Sequence, residues 1–214
     1  MDLSFTPEHD AFRREVRDWI EQNYPESVRE RQKSGEPLRK EDHLAWHRAL
    51  ANKGWLVPSW PTQFGGTGWD VVRRYIFSEE LARAETIAPS FGIGMIGPVI
   101  YTYGTPEQVE KYLWPTISGD LWWCQGYSEP GAGSDLASLK TRAERITGDD
   151  GKDYYIVNGQ KTWTTLGQHA DWIFCLCRTD PEVKKQAGIS MILVPMDTEG
   201  VTLRPIELID GGFE

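Results

Sequence analysis

Apolar residues at Phe12, Val16, Trp19 and Ile20 stand at i, i+4, i+7 and i+8, the spacing of a stripe along one side of an α-helix. Thr6 supplies an N-cap, Pro7 suits the first helical position, and Glu8 sets a carboxylate at the positive helix end. Pro25 is expected to stop this helix. A second helix is expected over 40–53, with Leu44, His47, Leu50 and Ala51 on one side and Gly54 as its left-handed stop. Residues 55–69, WLVPSWPTQFGGTGW, read as a Pro/Gly-rich loop holding three tryptophans. A third helix is expected over about 70–85, with Glu79 and Glu80 on its solvated side, and an apolar helix over about 89–103. Thr105-Pro106-Glu107-Gln108 is a capping box that opens a short helix, expected to end before Pro115.

Past residue 120 the pattern changes from helical to strand-like. Strands are expected at 121–128 (LWWCQGYS), 153–165 (DYYIVNGQKTWTT), 171–178 (DWIFCLCR), 189–196 (ISMILVPM) and 201–208 (VTLRPIEL). Asn158-Gly159, between two β-prone runs, is a type I′ hairpin signal. Strands joined by short turns point to an antiparallel sheet or barrel, not to βαβ units. The expected fold is therefore α+β: a helical domain over 1–120, then a β domain over 121–214.

Composition narrows the function. The 214 residues carry a net charge of −9 without a basic stripe, which argues against a nucleic-acid partner. An anionic ligand would have to be held by local groups such as backbone N–H. No apolar run reaches the roughly 18 residues of a membrane span. The opening Met1-Asp2-Leu3-Ser4 has no secretory pattern. Cys124, Cys175 and Cys177 are odd in number and lie in strand-like runs, which favours reduced thiols and a cytoplasmic protein. His43, His47 and His169 lack metal-ligand spacing, and no metal is expected. Ten tryptophans are the unusual feature, since large amphipathic rings suit interiors, interfaces and planar ligands.

Two glycine-rich segments are candidates for chemistry. Gly92-Ile93-Gly94-Met95-Ile96-Gly97 fits G-x-G-x-x-G, but a helical segment and Ala88-Pro89 precede it where a dinucleotide fingerprint needs a strand. The plainer reading is a helix thinned by glycine so that another helix, or else an acyl chain, can come close. Tyr127-Ser128-Glu129-Pro130-Gly131-Ala132-Gly133-Ser134-Asp135 follows a strand-like run and offers bare backbone N–H groups and hydroxyls. Taken alone it is either an anion-cradling loop or an ordinary tight turn. Glu129 within it reads as a cap for nearby N–H groups, not as a base.

That nonapeptide resembles the first signature of the acyl-CoA dehydrogenase family. Lys161-Thr162-Trp163-Thr164-Thr165 is similar to the family's second flavin-contacting strand. Thr105-Pro106-Glu107-Gln108 with Lys111-Tyr112-Leu113 is similar to the helix before its β domain, and Trp60-Pro61 with Phe64-Gly65-Gly66-Thr67-Gly68 to its N-terminal loop. The matches run in order from about residue 5 to 214. The resemblance implies an N-terminal helical domain, a middle β domain that is incomplete at residue 214, and a C-terminal helical bundle beyond it. It implies FAD as cofactor, lined by Gln125, Gly126, Tyr127, Ser128, Gly133, Ser134, Trp163, Thr164 and Thr165. Ser128 would bond the isoalloxazine ring, Trp163 pack beside it, Thr165 reach its N5, and Ser134 contact the CoA of the substrate. On its residues alone, Trp163 also fits a half-buried strand aromatic.

The reaction the resemblance implies is α,β-dehydrogenation of an acyl-CoA to the trans-2-enoyl-CoA, in fatty-acid β-oxidation or related catabolism. The family's base is a glutamate of the C-terminal bundle, so no catalytic residue is assigned within these 214. Electron-transfer flavoprotein is the implied acceptor, and a homo- or hetero-oligomer, dimer or tetramer, the implied assembly. The 214 residues alone are expected to be inactive and to hold FAD weakly or not at all. Two other functions fit the same residues: a non-catalytic flavin- or acyl-CoA-binding subunit of a heteromeric complex, and a flavin oxidase or monooxygenase of the same fold.

Overall fold

The computed structural model describes residues 4–209 and 212–213. The chain divides into two compact units, 1–120 and 121–214.

The first unit is helical: α1 (Pro7–Asn23), α2 (Glu26–Ser34), α3 (Lys40–Lys53), α4 (Val71–Arg83), α5 (Gly97–Tyr103), α6 (Pro106–Gln108) and α7 (Trp114–Ser118). The Thr6 hydroxyl accepts from the His9 N–H, and Asp70 caps α4 by accepting from the Arg73 N–H. Pro25 ends α1 as expected but also stands at the N-cap of α2, so a helix the apolar pattern does not reveal begins at once. Only Val28 of α2 is buried, which is why no stripe marks it. Aromatic rings pack into the core, with Trp19 tilted against Trp46 at 5.5 Å between centres and edge-to-face with Trp55 at 5.1 Å, and Phe12 edge-to-face with Trp69 at 4.9 Å.

Two expectations change along the later helices. Gly92–Ile96 is a wide π-helical turn that leads into α5, so the G-x-G-x-x-G run lies inside a helix. A side chain at Gly97 would overlap the Trp60 indole; the close neighbour is a loop tryptophan, not another helix. Pro115 does not end the helix that Thr105 caps. A second π turn, Val109–Leu113, comes just before it, and the helical path runs on to Ser118. Such widened turns spare the chain the clash between a proline ring and the carbonyl four residues back.

Glu80, expected on the solvated side of α4, is 2% exposed. Its carboxylate accepts from Arg17 Nε at 2.8 Å and from Arg13 at 2.8 Å, so two guanidinium groups of α1 clamp α4. Arg13 also pairs with Glu79, which stays exposed. The Arg17 hydrogen bond, partly opposed by burial, holds the Glu80 carboxyl below the usual carboxylate range.

The second unit is a five-stranded sheet: β1 (Trp123–Gly126), β2 (Arg142–Thr147), β3 (Asp153–Asn158), β4 (Trp172–Arg178) and β5 (Ile189–Pro195). A helical unit followed by a sheet unit agrees with the sequence, but the sheet is mixed. β1 runs parallel to β4, with Gln125 opposite Phe174 and Gly126 opposite Cys175. β2 and β5 pair antiparallel with β3 and β4 respectively. β2 is too polar, RAERIT, to show in the hydropathy pattern. The hairpin between β2 and β3 turns at 148–152, where the Gly148 N–H donates to the Lys152 carbonyl at 2.8 Å. Asn158-Gly159 is therefore not a hairpin: β3 ends there, neither residue has positive φ, and Gly159 lies hard against Thr141. Residues 201–208 form no strand beyond an isolated bridge from Glu207 to Phe213.

Removing the buried charge at Glu80 should loosen α1 from α4. Glu80→Ala is expected to cost about 2–4 kcal/mol, read as a lowered midpoint in chemical denaturation. Because the folded state depresses the Glu80 pKa, this contribution is present above the ordinary carboxylate range and fades as pH falls through and below it.

Candidate functional site

The candidate segments lie together in the sheet unit. β1 delivers Gln125 and Gly126 beside the middle strand β4, and Gly126 has to be small: a Cβ there would stand 2.7 Å from Ile173 Cδ1. The chain leaves β1 into the loop 127–135, where Glu129 and Ala132 exchange backbone hydrogen bonds of 2.9 and 3.1 Å. Gly131 and Gly133 between and beyond them face open space. Tyr127 sets its ring edge-on to Phe174, 5.8 Å between centres, against the buried floor of Trp123 and Phe174.

A second segment, 159–167, runs alongside. The Thr162 N–H donates to the Ser128 carbonyl at 2.9 Å. Lys161, Thr162, Trp163, Thr164 and Thr165 take no strand structure, contrary to expectation. Trp163 and Leu166 both sit at φ 57°, a left-handed conformation that bulky residues rarely adopt. The Trp163 side chain is 70% exposed, whereas Trp46, Trp55, Trp60, Trp122 and Trp123 are each 8% exposed or less. The reading of Trp163 as a half-buried strand aromatic is thereby overturned on both counts. A strained backbone that presents an indole to solvent serves no packing purpose, and such outliers gather at ligand sites.

The structure thus brings Tyr127 and Ser128 next to the 161–165 segment, while Gln125 and Gly126 lead into the loop on β1, beside β4. Gly133 and Ser134 lie at the far, exposed end of the loop. Among the described residues, the hydroxyls of Ser128, Ser134, Thr164 and Thr165 take no hydrogen-bond partner within the chain. The donor set is neutral: hydroxyls, bare glycine N–H groups and one exposed aromatic plane. It suits a flat, polar-edged ligand with an anionic tail.

Beneath the two segments lies a buried charge pair. Lys161 Nζ donates to Glu129 Oε1 at 2.9 Å and to the Tyr127 carbonyl at 3.1 Å, and both side chains are 8% exposed. Glu129 also accepts from the backbone N–H of Lys140 at 2.7 Å and of Thr141 at 2.9 Å. Burial opposes the Glu129 charge. The Thr141 side chain beside it, the two N–H groups and the Lys161 ammonium outweigh that, and the carboxyl is held at about 2. With its oxygens so occupied, Glu129 is a structural anion and not a proton acceptor.

Other polar groups have local roles. Arg178 fastens the loop's exit, donating to the carbonyls of Ala137 at 2.7 Å and Leu139 at 3.2 Å. Cys175 and Cys177 share one side of β4 with sulfurs 3.6 Å apart, and all three cysteines are free and buried. Burial pushes the Cys124 thiol up to about 12. In the helical unit, His47 Nε2 donates to the Thr116 carbonyl at 3.0 Å and the Ile117 carbonyl at 2.9 Å, joining α3 to α7. Burial lowers its pKa, so it is a neutral core histidine. Among the described residues no group of His, Cys, Asp and Glu could hold a metal ion, and no helix is long and apolar enough to cross a membrane.

The depressed Glu129 pKa fixes a pH dependence. Relative to its ordinary 4.5, the shift to about 2 is worth on the order of 3 kcal/mol of stability, present above pH 4.5 and lost as pH falls toward 2. Glu129→Gln should flatten this acid limb of the sheet unit's unfolding, which denaturant titration at stepped pH would measure.

Comparison with known proteins gives these segments a context. The family model "Acyl-CoA dehydrogenase, N-terminal domain" matches residues 6–120, and "Acyl-CoA dehydrogenase, middle domain" matches 124–211. The acyl-CoA dehydrogenase IpdE1 of Mycolicibacterium smegmatis is 41% identical over 216 residues, covering 95% of this chain and 55% of its own. The solved ChsE4-ChsE5 complex from Mycobacterium tuberculosis contains a chain 39% identical, with a TM-score of 0.83, covering 100% of this chain and 53% of that one. A structure described as the Tcur3481-Tcur3483 steroid ACAD is 38% identical with a TM-score of 0.83, covering 99% and 53%. The chain spans about half the length of these relatives. By two family models that together take in both structural units, the chain belongs to the acyl-CoA dehydrogenase family.

Proposed function

We propose that this chain contributes the helical domain (1–120) and the middle β domain (121–214) of an FAD-dependent acyl-CoA dehydrogenase. The observation that carries the reading is Trp163: exposed, left-handed, and fastened beside a glycine-bare loop whose hydroxyls have no partner within the chain. In this reading FAD is held by Gln125, Gly126, Tyr127, Ser128, Gly133, Ser134, Trp163, Thr164 and Thr165. When bound, it supplies the two-electron acceptor for removing hydrogens from the α and β carbons of an acyl-CoA.

The chain's own residues bind and orient. The hydroxyls of Ser128, Thr164 and Thr165 donate to polar edges of a flat ligand, where a fixed donor favours the more negative form. Trp163 covers an apolar face and keeps water from it. The N–H groups near Gly131 and Gly133, with Ser134, receive the anionic and CoA portions without a cationic side chain, which suits a chain of net charge −9. The α-proton goes to a group outside these 214 residues, since Glu129 is fully engaged. An electron-transfer flavoprotein is the natural acceptor, and the buried thiols fit a cytoplasmic enzyme.

Similarity to a chain of the ChsE4-ChsE5 complex favours assembly with a second, related chain. Similarity to the steroid ACAD favours a bulky, steroid-derived acyl group over a straight one. Anaerobic addition of acyl-CoAs to the full-length protein tests this: a steroid-type thioester should bleach the flavin absorbance fastest, and a protein that carries no flavin would overturn the reading. A second expectation concerns Trp163. Trp163→Gly relieves the left-handed strain, so unfolding without cofactor should be unchanged or up to about 1 kcal/mol more costly. Flavin affinity, measured by titration, should fall nonetheless.

A further inference from the structure

Three stretches of chain that are far apart in sequence meet at one buried carboxylate. The loop 127–135 contributes Glu129 itself. The approach to β2 contributes the N–H groups of Lys140 and Thr141. The segment 159–167 contributes Lys161, whose ammonium reaches both Glu129 and the Tyr127 carbonyl. Apart from these contacts, 161–165 is joined to the first loop by one backbone hydrogen bond, from Thr162 to Ser128. Neither segment has a strand partner at this point. The strained Trp163 stands two residues beyond Lys161, and the unpartnered Ser128 hydroxyl one residue before Glu129.

We propose that Lys161 and Glu129 are positioning residues which fix the Trp163 plane against the Ser128 hydroxyl loop, and so set the affinity of the site for FAD. The inference rests on the functional reading above for its ligand, but the brace itself is a property of the chain. The physical case is one of preorganisation. A positive-φ tryptophan reverts to a relaxed conformation unless its surroundings over-determine it. A buried ion pair with three protein donors on the carboxylate side and two acceptors on the ammonium side is the stiffest element within reach. Neutral apolar residues of equal bulk would fill the same space without the directional bonds to the Tyr127 carbonyl and Glu129 that hold the 161 side chain in place.

The test uses the full-length protein and four variants: Lys161→Met, Lys161→Arg, Glu129→Gln, and the double variant Glu129→Gln/Lys161→Met, which removes both charges and so relieves any orphaned one. Two readouts are taken, hydrogen exchange of the cofactor-free protein and the FAD dissociation constant with the flavin absorption spectrum. Lys161→Met should speed exchange across 159–166 while leaving β4 protected. It should weaken FAD binding at least about tenfold and shift the flavin bands, with partial rescue in Lys161→Arg. The double variant should regain stability but not flavin affinity. Wild-type exchange in 159–166, or FAD lost only in proportion to global stability, would overturn the proposal. A wild-type protein that binds no FAD would remove the functional reading, and with it the cofactor half of this proposal. The exchange arm alone would still decide whether the brace exists.

Discussion

A carboxylate withdrawn from water must be met by donors, and in the sheet unit that requirement falls on Glu129. Leaving such a charge uncompensated costs several kcal/mol, so the loop that carries it cannot drift from the three groups that satisfy it. The consequence spreads outward. The Lys140 and Thr141 amides bring the start of β2 against the loop, where Arg142 meets the end of β4. Lys161 brings in the second segment, and Gly159 leaves the room for that crossing by lying flat on Thr141. Glycines supply freedom at the loop's outer end, and the ion pair removes it at the inner end.

The helical unit uses the same device for a different purpose. Glu80 is buried more deeply than Glu129, but its partners are long arginine side chains from another helix, not backbone amides. Arginine partners set the spacing of two helices. Amide partners set the path of the chain itself. Only the second kind controls where neighbouring side chains point, and it is found where the unpartnered hydroxyls and the strained tryptophan are.

Much of this was legible in the sequence. Periodicity marks α1, α3 and α4, and alternation and β-propensity mark β1, β4 and β5, because each buries apolar residues on a regular face. α2 and β2 are invisible to that signal, since each buries little, and Pro25 hides the first by ending one helix as it opens the next. The hairpin signal at Asn158-Gly159 misled because a glycine can be needed for close approach as well as for a turn, and Thr141 is its reason. Glu80 misled in the same way: a charged residue on a helix reads as solvated until its arginine partners, more than sixty residues away, are known. The candidate loop was legible as a motif, but the brace beneath it was not, since no local pattern joins residue 129 to residue 161. The positive φ of Trp163 has no sequence signature either, because tryptophan is among the residues least suited to it.

The exposure of Trp163 also gives the protein an optical property. Trp46, Trp55, Trp60, Trp122 and Trp123 are shielded from solvent, and Trp114, at 40%, is the next most exposed tryptophan. A water-soluble quencher therefore reaches Trp163 ahead of the buried indoles, and a planar molecule stacked on its face would withdraw that emission from the signal. A fall in the quenchable fraction of the intrinsic fluorescence on adding a ligand, above the constant part from Trp114, thus reports filling of the site with no label attached to the chain.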